Sequence, residues 1–471
     1  MLFNSFQFFL FFPIVTILFF LLPHKFRWFL LLAASCYFYM VFKPIYILIL
    51  FFTIVIDYYV GLFLEKSKAE NKKLILILSL IANIGILAFF KYWNFLNDNI
   101  TALLGLVHTQ NPIPYLEILL PIGLSFHTFQ AMSYTIEVYR GNQKAEHHFG
   151  IYALYVMFYP QLVAGPIERP QNVLHQFHDV HHFDYQQFKE GLKRMLWGLF
   201  KKVVIADNLS RIVNLCYDSP THHSGLLLFI STIFFTFQIY CDFSGYSDIA
   251  LGSAQCMGFK LMTNFNLPYI SKNISEFWSR WHISLSTWFR DYLYIPLGGN
   301  RVGKQRWMMN VFIVFIVSGL WHGANYTFII WGTLHGIYTL IGIVTKNFQS
   351  KFIKSKILNI AFTFGLVAFA WIFFRAKSVA VAMQIVFKII AIRNYSFAVL
   401  MNELSTFGTT KFAIISILLL LFILVDKYIT QLLNGDIKIS TFKNIFAFSL
   451  MLAMLCIFGY YGETQFIYFQ F

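Results

Sequence analysis

Pro44-Ile-Tyr-Ile-Leu-Ile-Leu-Phe-Phe-Thr-Ile-Val-Ile-Asp57-Tyr-Tyr-Val-Gly-Leu-Phe-Leu64 holds a single charged side chain, Asp57, in a run long enough to cross a bilayer. An apolar helix of about 20 residues covers the ~30 Å of a hydrocarbon core. Comparable runs recur near 6–22, 27–42, 74–91, 115–133, 150–164, 190–206, 225–245, 308–324, 328–345, 358–374, 412–431 and 444–461. Several are short enough to be broken or re-entrant, and about eleven crossings are expected. Composition agrees: 58% of the residues are hydrophobic, 12% are charged and 57 are Phe. With mean hydropathy at +0.63, polar surface is too scarce to enclose a soluble core. The expected fold is an all-α integral membrane protein.

The first stretch, Met1-Leu-Phe-Asn, has neither a basic n-region nor a small-residue cleavage site, so it reads as a retained helix rather than a signal peptide. Residues 1–471 read as one polytopic domain, with 412–471 a C-terminal helical extension. The five Cys (36, 216, 241, 256 and 456) lack CxxC spacing and sit in apolar contexts, which favours packing over disulfides or zinc. A net charge of +15 raises nucleic acid as a partner. The basic residues, however, sit in short loops between spans, as the positive-inside rule requires. Lys66–Lys73, Lys193–Lys202, Arg301–Arg306 and Lys346–Lys356 are therefore expected on the cytoplasmic side. Following the chain from there puts Tyr468 on the outer face, provided that 378–392 lies on the membrane instead of crossing it.

The chemistry concentrates in three places. Residues 264–300 are too polar for a simple span and too aromatic for a solvated loop. A helix starting near Ser275 would put Trp278, Trp281, Leu285 and Trp288 on one stripe and His282, Ser286 and Arg290 on another. At a membrane boundary this reads either as an interfacial anchor or as a site. The second place is Ser318-Gly-Leu-Trp321-His322-Gly-Ala-Asn325. Ionisable groups inside the membrane are costly and functional by default. His322 stands about 16 residues, or ~24 Å, along a helix begun at Arg306. Glycines 319 and 323 leave room for a substrate or another backbone. His335 on the next span is read as lacking such a glycine bracket and is the weaker candidate. The third place is Phe466-Ile-Tyr468-Phe-Gln-Phe471, an aromatic stretch after Glu463 that has no evident packing purpose and reads as inserted somewhere.

Several motifs together resemble the membrane-bound O-acyltransferase family, in its bacterial branch that O-acetylates alginate and other exopolysaccharides. They are Leu120-Pro-Ile-Gly-Leu-Ser-Phe-His127-Thr-Phe-Gln130, Tyr159-Pro-Gln-Leu-Val-Ala-Gly-Pro166-Ile-Glu-Arg-Pro170, Asp242-Phe-Ser-Gly-Tyr-Ser-Asp248, Phe277-Trp-Ser-Arg-Trp-His282, Tyr294-Ile-Pro-Leu-Gly-Gly-Asn300 and Gly319-Leu-Trp-His322-Gly323. The Tyr-Ile-Pro-Leu-Gly-Gly stretch favours this branch over the related D-alanyl transferases of teichoic acid synthesis. The resemblance implies tilted, re-entrant and interfacial helices around a central tunnel in a bacterial inner membrane. An acyl donor, acetyl-CoA or another thioester, would enter from the cytoplasm. The family's essential histidine falls on His322 and its second signature histidine on His282.

The resemblance also implies that Tyr468 accepts the acyl group and passes it to a separate, SGNH-hydrolase-like extracytoplasmic transferase that loads a polysaccharide. Transfer from a thioester to a hydroxyl needs a base, for which a near-neutral histidine serves, and donors for an oxyanion. Trp281, Trp321 and Asn325 are the candidate donors, and Arg280 and Arg290 could meet phosphates of a CoA. An interfacial anchor is the competing reading of Tyr468. D-alanyl transfer to an envelope polymer, a polar-solute transporter and a structural scaffold are the alternatives for the whole chain, and no internal repeat of the transporter kind is found. His175, His178, His181 and His182 have spacings compatible with zinc, but no metal is expected. Glu168 and Arg169 read as a structural turn, and Asp242 as a group that orients a helix terminus or a histidine.

Overall fold

The computed structural model describes residues 1–117, 121–162, 165–345, 355–437, 440–462 and 466–469. Lys346, Lys351, Lys354 and Lys438 of the topology argument, Leu120, Glu463 and Gln470–Phe471 lie outside them. Among the described residues the structure is helical, without strands. Seven helices are long and apolar enough to cross a membrane: Pro44–Lys66, Ala69–Leu106, Gly225–Cys256, Tyr326–Val344, Lys356–Arg375, Thr409–Leu433 and Thr441–Phe458. The chain is thus a multi-pass membrane protein. It divides into two compact units, Met1–Met195 with Ile249–Met262 and Leu196–Asp248 with Thr263–Phe471.

In the first unit the charge in the opening span is internally satisfied. Asp57 is fully buried and accepts hydrogen bonds from Ser79 Oγ at 2.8 Å and Asn83 Nδ2 at 2.9 Å on the next span. A carboxylate in hydrocarbon is tolerable only on these terms. The run 150–164 is not one helix but Phe149–Met157 followed by Tyr159–Leu162.

The second unit is organised around a helical hairpin, Lys304–His322 and Tyr326–Val344. A Cβ on Gly319 would lie 2.3 Å from the Phe328 carbonyl oxygen, and one on Gly332 would lie 2.3 Å from that of Phe315. The two helices therefore touch backbone to backbone. Asn325 sets the turn between them: its Oδ1 accepts from Thr327 N at 3.0 Å, and its Nδ2 donates to Lys377 O at 3.0 Å. The run 378–392 forms the helix Val379–Ile390, 12 residues. At 1.5 Å per residue it reaches only ~18 Å, short of a bilayer core.

The helix expected from Ser275 is built differently. Residues 274–289 are not one helix. Asn273 caps Ile274–Arg280 by accepting from Glu276 N at 2.8 Å, and the chain then turns before Ile283–Phe289. Trp281 is extended, and His282 adopts the left-handed conformation with φ 43°. The break is imposed from a distance: Ile283 N donates to Asn264 O at 2.9 Å and Ser284 N to Asn264 Oδ1 at 3.2 Å. The expected stripes of Trp281 with Trp288 and His282 with Arg290 therefore do not form. Conversely, Gly225–Cys256 runs unbroken through Ser244-Gly245. Gly245 serves packing, because a Cβ there would come within 2.7 Å of Gly198 O. That neighbour belongs to a stretch that widens into a π-helix over Phe200–Ala206.

Candidate active site

His322 is the last residue of Lys304–His322, where the Gly-rich turn lets the chain leave the helix. It is buried, its ring 4.9 Å from those of Trp321 and Trp331 and 5.2 Å from Phe374. His282 is fully buried at its break, with Phe243 edge-on at 4.7 Å and Trp321 at 6.2 Å. Burial, which favours the neutral ring, drives its imidazole down to about 3 against the opposing pull of a hydrogen bond to its own backbone.

The aromatic stretch packs against both histidines. Ile467–Phe469 forms one 3-10 turn, and the Tyr468 ring sits 5.7 Å from His322, 6.4 Å from His282 and 4.5 Å from Phe243. Phe466 is fully buried, stacks at 5.5 Å on Tyr468 and lies 4.4 Å from Tyr246. The stretch is therefore inserted within its own unit. The Tyr468 hydroxyl is shielded from solvent, and burial, reinforced by the nearby Asp242 charge, holds the phenol well above the ordinary tyrosine range. A phenol kept protonated in this way needs a base to become a nucleophile.

The remaining expected site residues are more dispersed. Trp321 belongs to the cluster, whereas Trp281 stacks on Phe277 at 5.6 Å and packs against Trp371 at 5.1 Å. Arg280 is paired with Glu276 at 3.0 Å and donates to Asn266 O at 3.0 Å. Arg290, largely exposed, is paired with Asp291 at 2.7 Å. Asn325 is engaged as the cap described above. None of these four is part of the ring cluster around Tyr468, though Arg290 keeps the exposure a soluble anion would need.

His178 bonds Glu146 at 2.8 Å and His181 bonds the Gln176 carbonyl at 2.7 Å. Among the described residues no group of His, Cys, Asp or Glu is arranged to hold a metal. Glu168 is fully buried, accepts from Met262 N at 2.5 Å, and burial pushes its carboxyl up to about 7.

Two features escaped the sequence reading. The expectation that His335 lacks a glycine bracket is wrong: Gly332-Thr-Leu-His335-Gly336 has the same spacing as Gly319-Leu-Trp-His322-Gly323, a signal available in the letters alone. The ion pair of Lys202 with Asp242, at 2.8 Å, had no such signal, because the spacing of its partners means nothing until the helices are packed.

A sequence profile described as the membrane-bound O-acyltransferase family matches residues 43–382. The chain is 41% identical over 382 residues to the Pseudomonas aeruginosa protein named "Probable alginate O-acetylase AlgI", covering 80% of this chain and 72% of that one. It is 37% identical over 406 residues to the Helicobacter pylori peptidoglycan O-acetyltransferase, covering 80% and 76%. To the Bacillus subtilis teichoic acid D-alanyltransferase it is 29% identical over 335 residues, covering 67% and 81%. With its buried histidines and many apolar helices, the chain belongs to the membrane-bound O-acyltransferase family and is an enzyme of that class.

Proposed function

We propose that this enzyme moves an acetyl group from a cytoplasmic thioester, acetyl-CoA, to Tyr468, and from there to a separate extracytoplasmic transferase that O-acetylates a polysaccharide. The observation that carries the reading is the Tyr468 ring packed against His322 and His282, at 5.7 and 6.4 Å. His322 is the base. It takes the phenolic proton as the oxygen attacks the thioester carbonyl; the tetrahedral intermediate then expels the thiolate, which leaves as a thiol with that proton. The products are a tyrosyl ester and free CoA. A phenol, with an ordinary pKa near 10, leaves more readily than a sugar hydroxyl, so the ester is poised for onward transfer. His282, edge-on to Tyr468 at 6.4 Å, orients the ring.

Acetyl is favoured over D-alanyl because identity to the named O-acetylating proteins is 37–41%, against 29% to the D-alanyltransferase. The setting is the bacterial inner membrane, with about eleven crossings and re-entrant segments around a tunnel. Residues 377–411 lie outside, which puts Tyr468 at the outer mouth; the short reach of Val379–Ile390 supports that sidedness. Arg290 and Arg280 face the donor's phosphates at the cytoplasmic entrance.

The test is mass spectrometry of the peptide containing Tyr468 after incubation of the purified protein with acetyl-CoA. An added acetyl group is expected in the unaltered protein and its absence in His322→Ala. Polymer acetylation that persists in Tyr468→Phe sinks the relay.

A further inference from the structure

The backbone of the aromatic stretch is held by a buried carboxylate. Ile467 N donates to Asp242 Oδ2 at 2.7 Å. The other oxygen, Asp242 Oδ1, pairs with Lys202 Nζ at 2.8 Å, and the same ammonium pairs with Asp207 Oδ1 at 2.8 Å. All three charged side chains are at most 3% exposed. One turn of the helix Gly225–Cys256 thus supplies three contacts to the stretch: Asp242 takes the backbone, Phe243 faces the Tyr468 ring and Tyr246 faces the Phe466 ring. On the far side, the π-helical stretch that carries Lys202 also accepts from Tyr460 N through Val203 O at 3.1 Å. Widened turns of this kind recur at functional sites.

We infer that Asp242, held by Lys202, is the positioning residue for Tyr468: its carboxylate takes the Ile467 amide and so fixes residues 466–469 in register against His282 and His322. A plain core ion pair would not need the amide. Buried ion pairs add little net stability, so their presence points to what they specify. Here a charge-assisted bond is spent on a main-chain N–H, which sets the height of the next residue whatever side chain occupies 467. Lys202 pairs with the other carboxylate oxygen and so aims it. The ring contacts of Phe466 and Tyr468 constrain position along the chain less sharply than one directional bond.

The inference rests on the reading of Tyr468 as acceptor, but it is measured by docking, before any acyl donor is added. A fluorinated tyrosine at 468 keeps the ring and reports its surroundings by fluorine resonance in the purified full-length protein. Asp242→Ala, and separately Ile467→Pro, which removes the amide donor and the isoleucine side chain and fixes φ, are each expected to lower the docked-to-free ratio about tenfold. Asp242→Asn keeps an acceptor and is expected to stay within about threefold of the unaltered protein. Ile467→Ala keeps the N–H and should do the same. The double variant Asp242→Ala with Ile467→Pro should lose no more than either alone, since both remove one bond. Unchanged docking in both single variants, or losses that multiply in the double, overturn the inference. Failure of the relay itself would show separately, as polymer acetylation that survives Tyr468→Phe while the docking ratios behave as stated.

Discussion

Two stretches of this chain share the spacing Gly-x-x-His-Gly, at 319–323 and 332–336, and the fold treats them differently. His322 ends its helix, next to the turn, with Tyr468 within ring contact. His335 sits mid-helix in Tyr326–Val344, fully buried, edge-on to Trp278 at 4.9 Å and to Trp331 at 5.0 Å. Among the described residues neither of its ring nitrogens has a hydrogen-bond partner. The glycines explain the shared pattern, because they let the two antiparallel helices meet backbone to backbone. Only one of the two histidines, His322, sits at a helix end and in ring contact with Tyr468.

The sharpest way to break that comparison is to exchange activity losses. His322→Ala should lower acetyl transfer at least about a hundredfold, the usual scale for losing a general base. His335→Ala should stay within a few-fold in rate while shifting thermal unfolding. Equal losses in single-turnover acetylation of Tyr468 would erase the distinction.

The glycine contact comes next. Gly332→Ala forces a Cβ into the Phe315 carbonyl, so about 1–3 kcal/mol of stability should go, read as an earlier unfolding midpoint in detergent. A midpoint unchanged from the parent would mean that the hairpin is looser than its geometry. The turn between the two motifs contributes less. Asn325→Ala removes the cap of the second helix and should cost about 1 kcal/mol.

The last effect is a slope with pH instead of an offset, and concerns a third histidine. His282 titrates near 3 in the folded chain and near 6.5 when unfolded. Its contribution is therefore complete above about pH 6.5, and the unfolded state gains by protonation as the pH falls toward 3. His282→Asn, which tolerates the left-handed backbone, should flatten the loss of stability between pH 6.5 and 5. An identical acid slope in both proteins would place that proton elsewhere.

The long apolar runs were legible because crossing a bilayer demands length and composition, both of which are local. His322 was legible for the same reason, since a charge-capable side chain in such a run is conspicuous. The break at His282 was not, because it is held by Asn264, whose backbone and side-chain oxygens reach residues far along the chain. Helical periodicity describes the free segment, and here tertiary bonds override it. Asp242 was noticed as a charge at the end of an apolar run, but its partners, Lys202 and Ile467, are fixed only by packing. Tyr468 fell between these cases: an aromatic stretch is visible in the letters, and its destination is not.

The π-helical stretch Phe200–Ala206 also sets a phase. Lys201 and Lys202 are neighbours, yet one reaches Ser244 Oγ at 2.9 Å and the other reaches Asp242. In an ordinary α-helix every residue after this point would be rotated about the axis relative to where it now stands. Removing one residue here would leave composition and hydropathy untouched and still turn the ammonium away from its carboxylate. For this enzyme, a deletion of one letter in an apolar run is a change of aim.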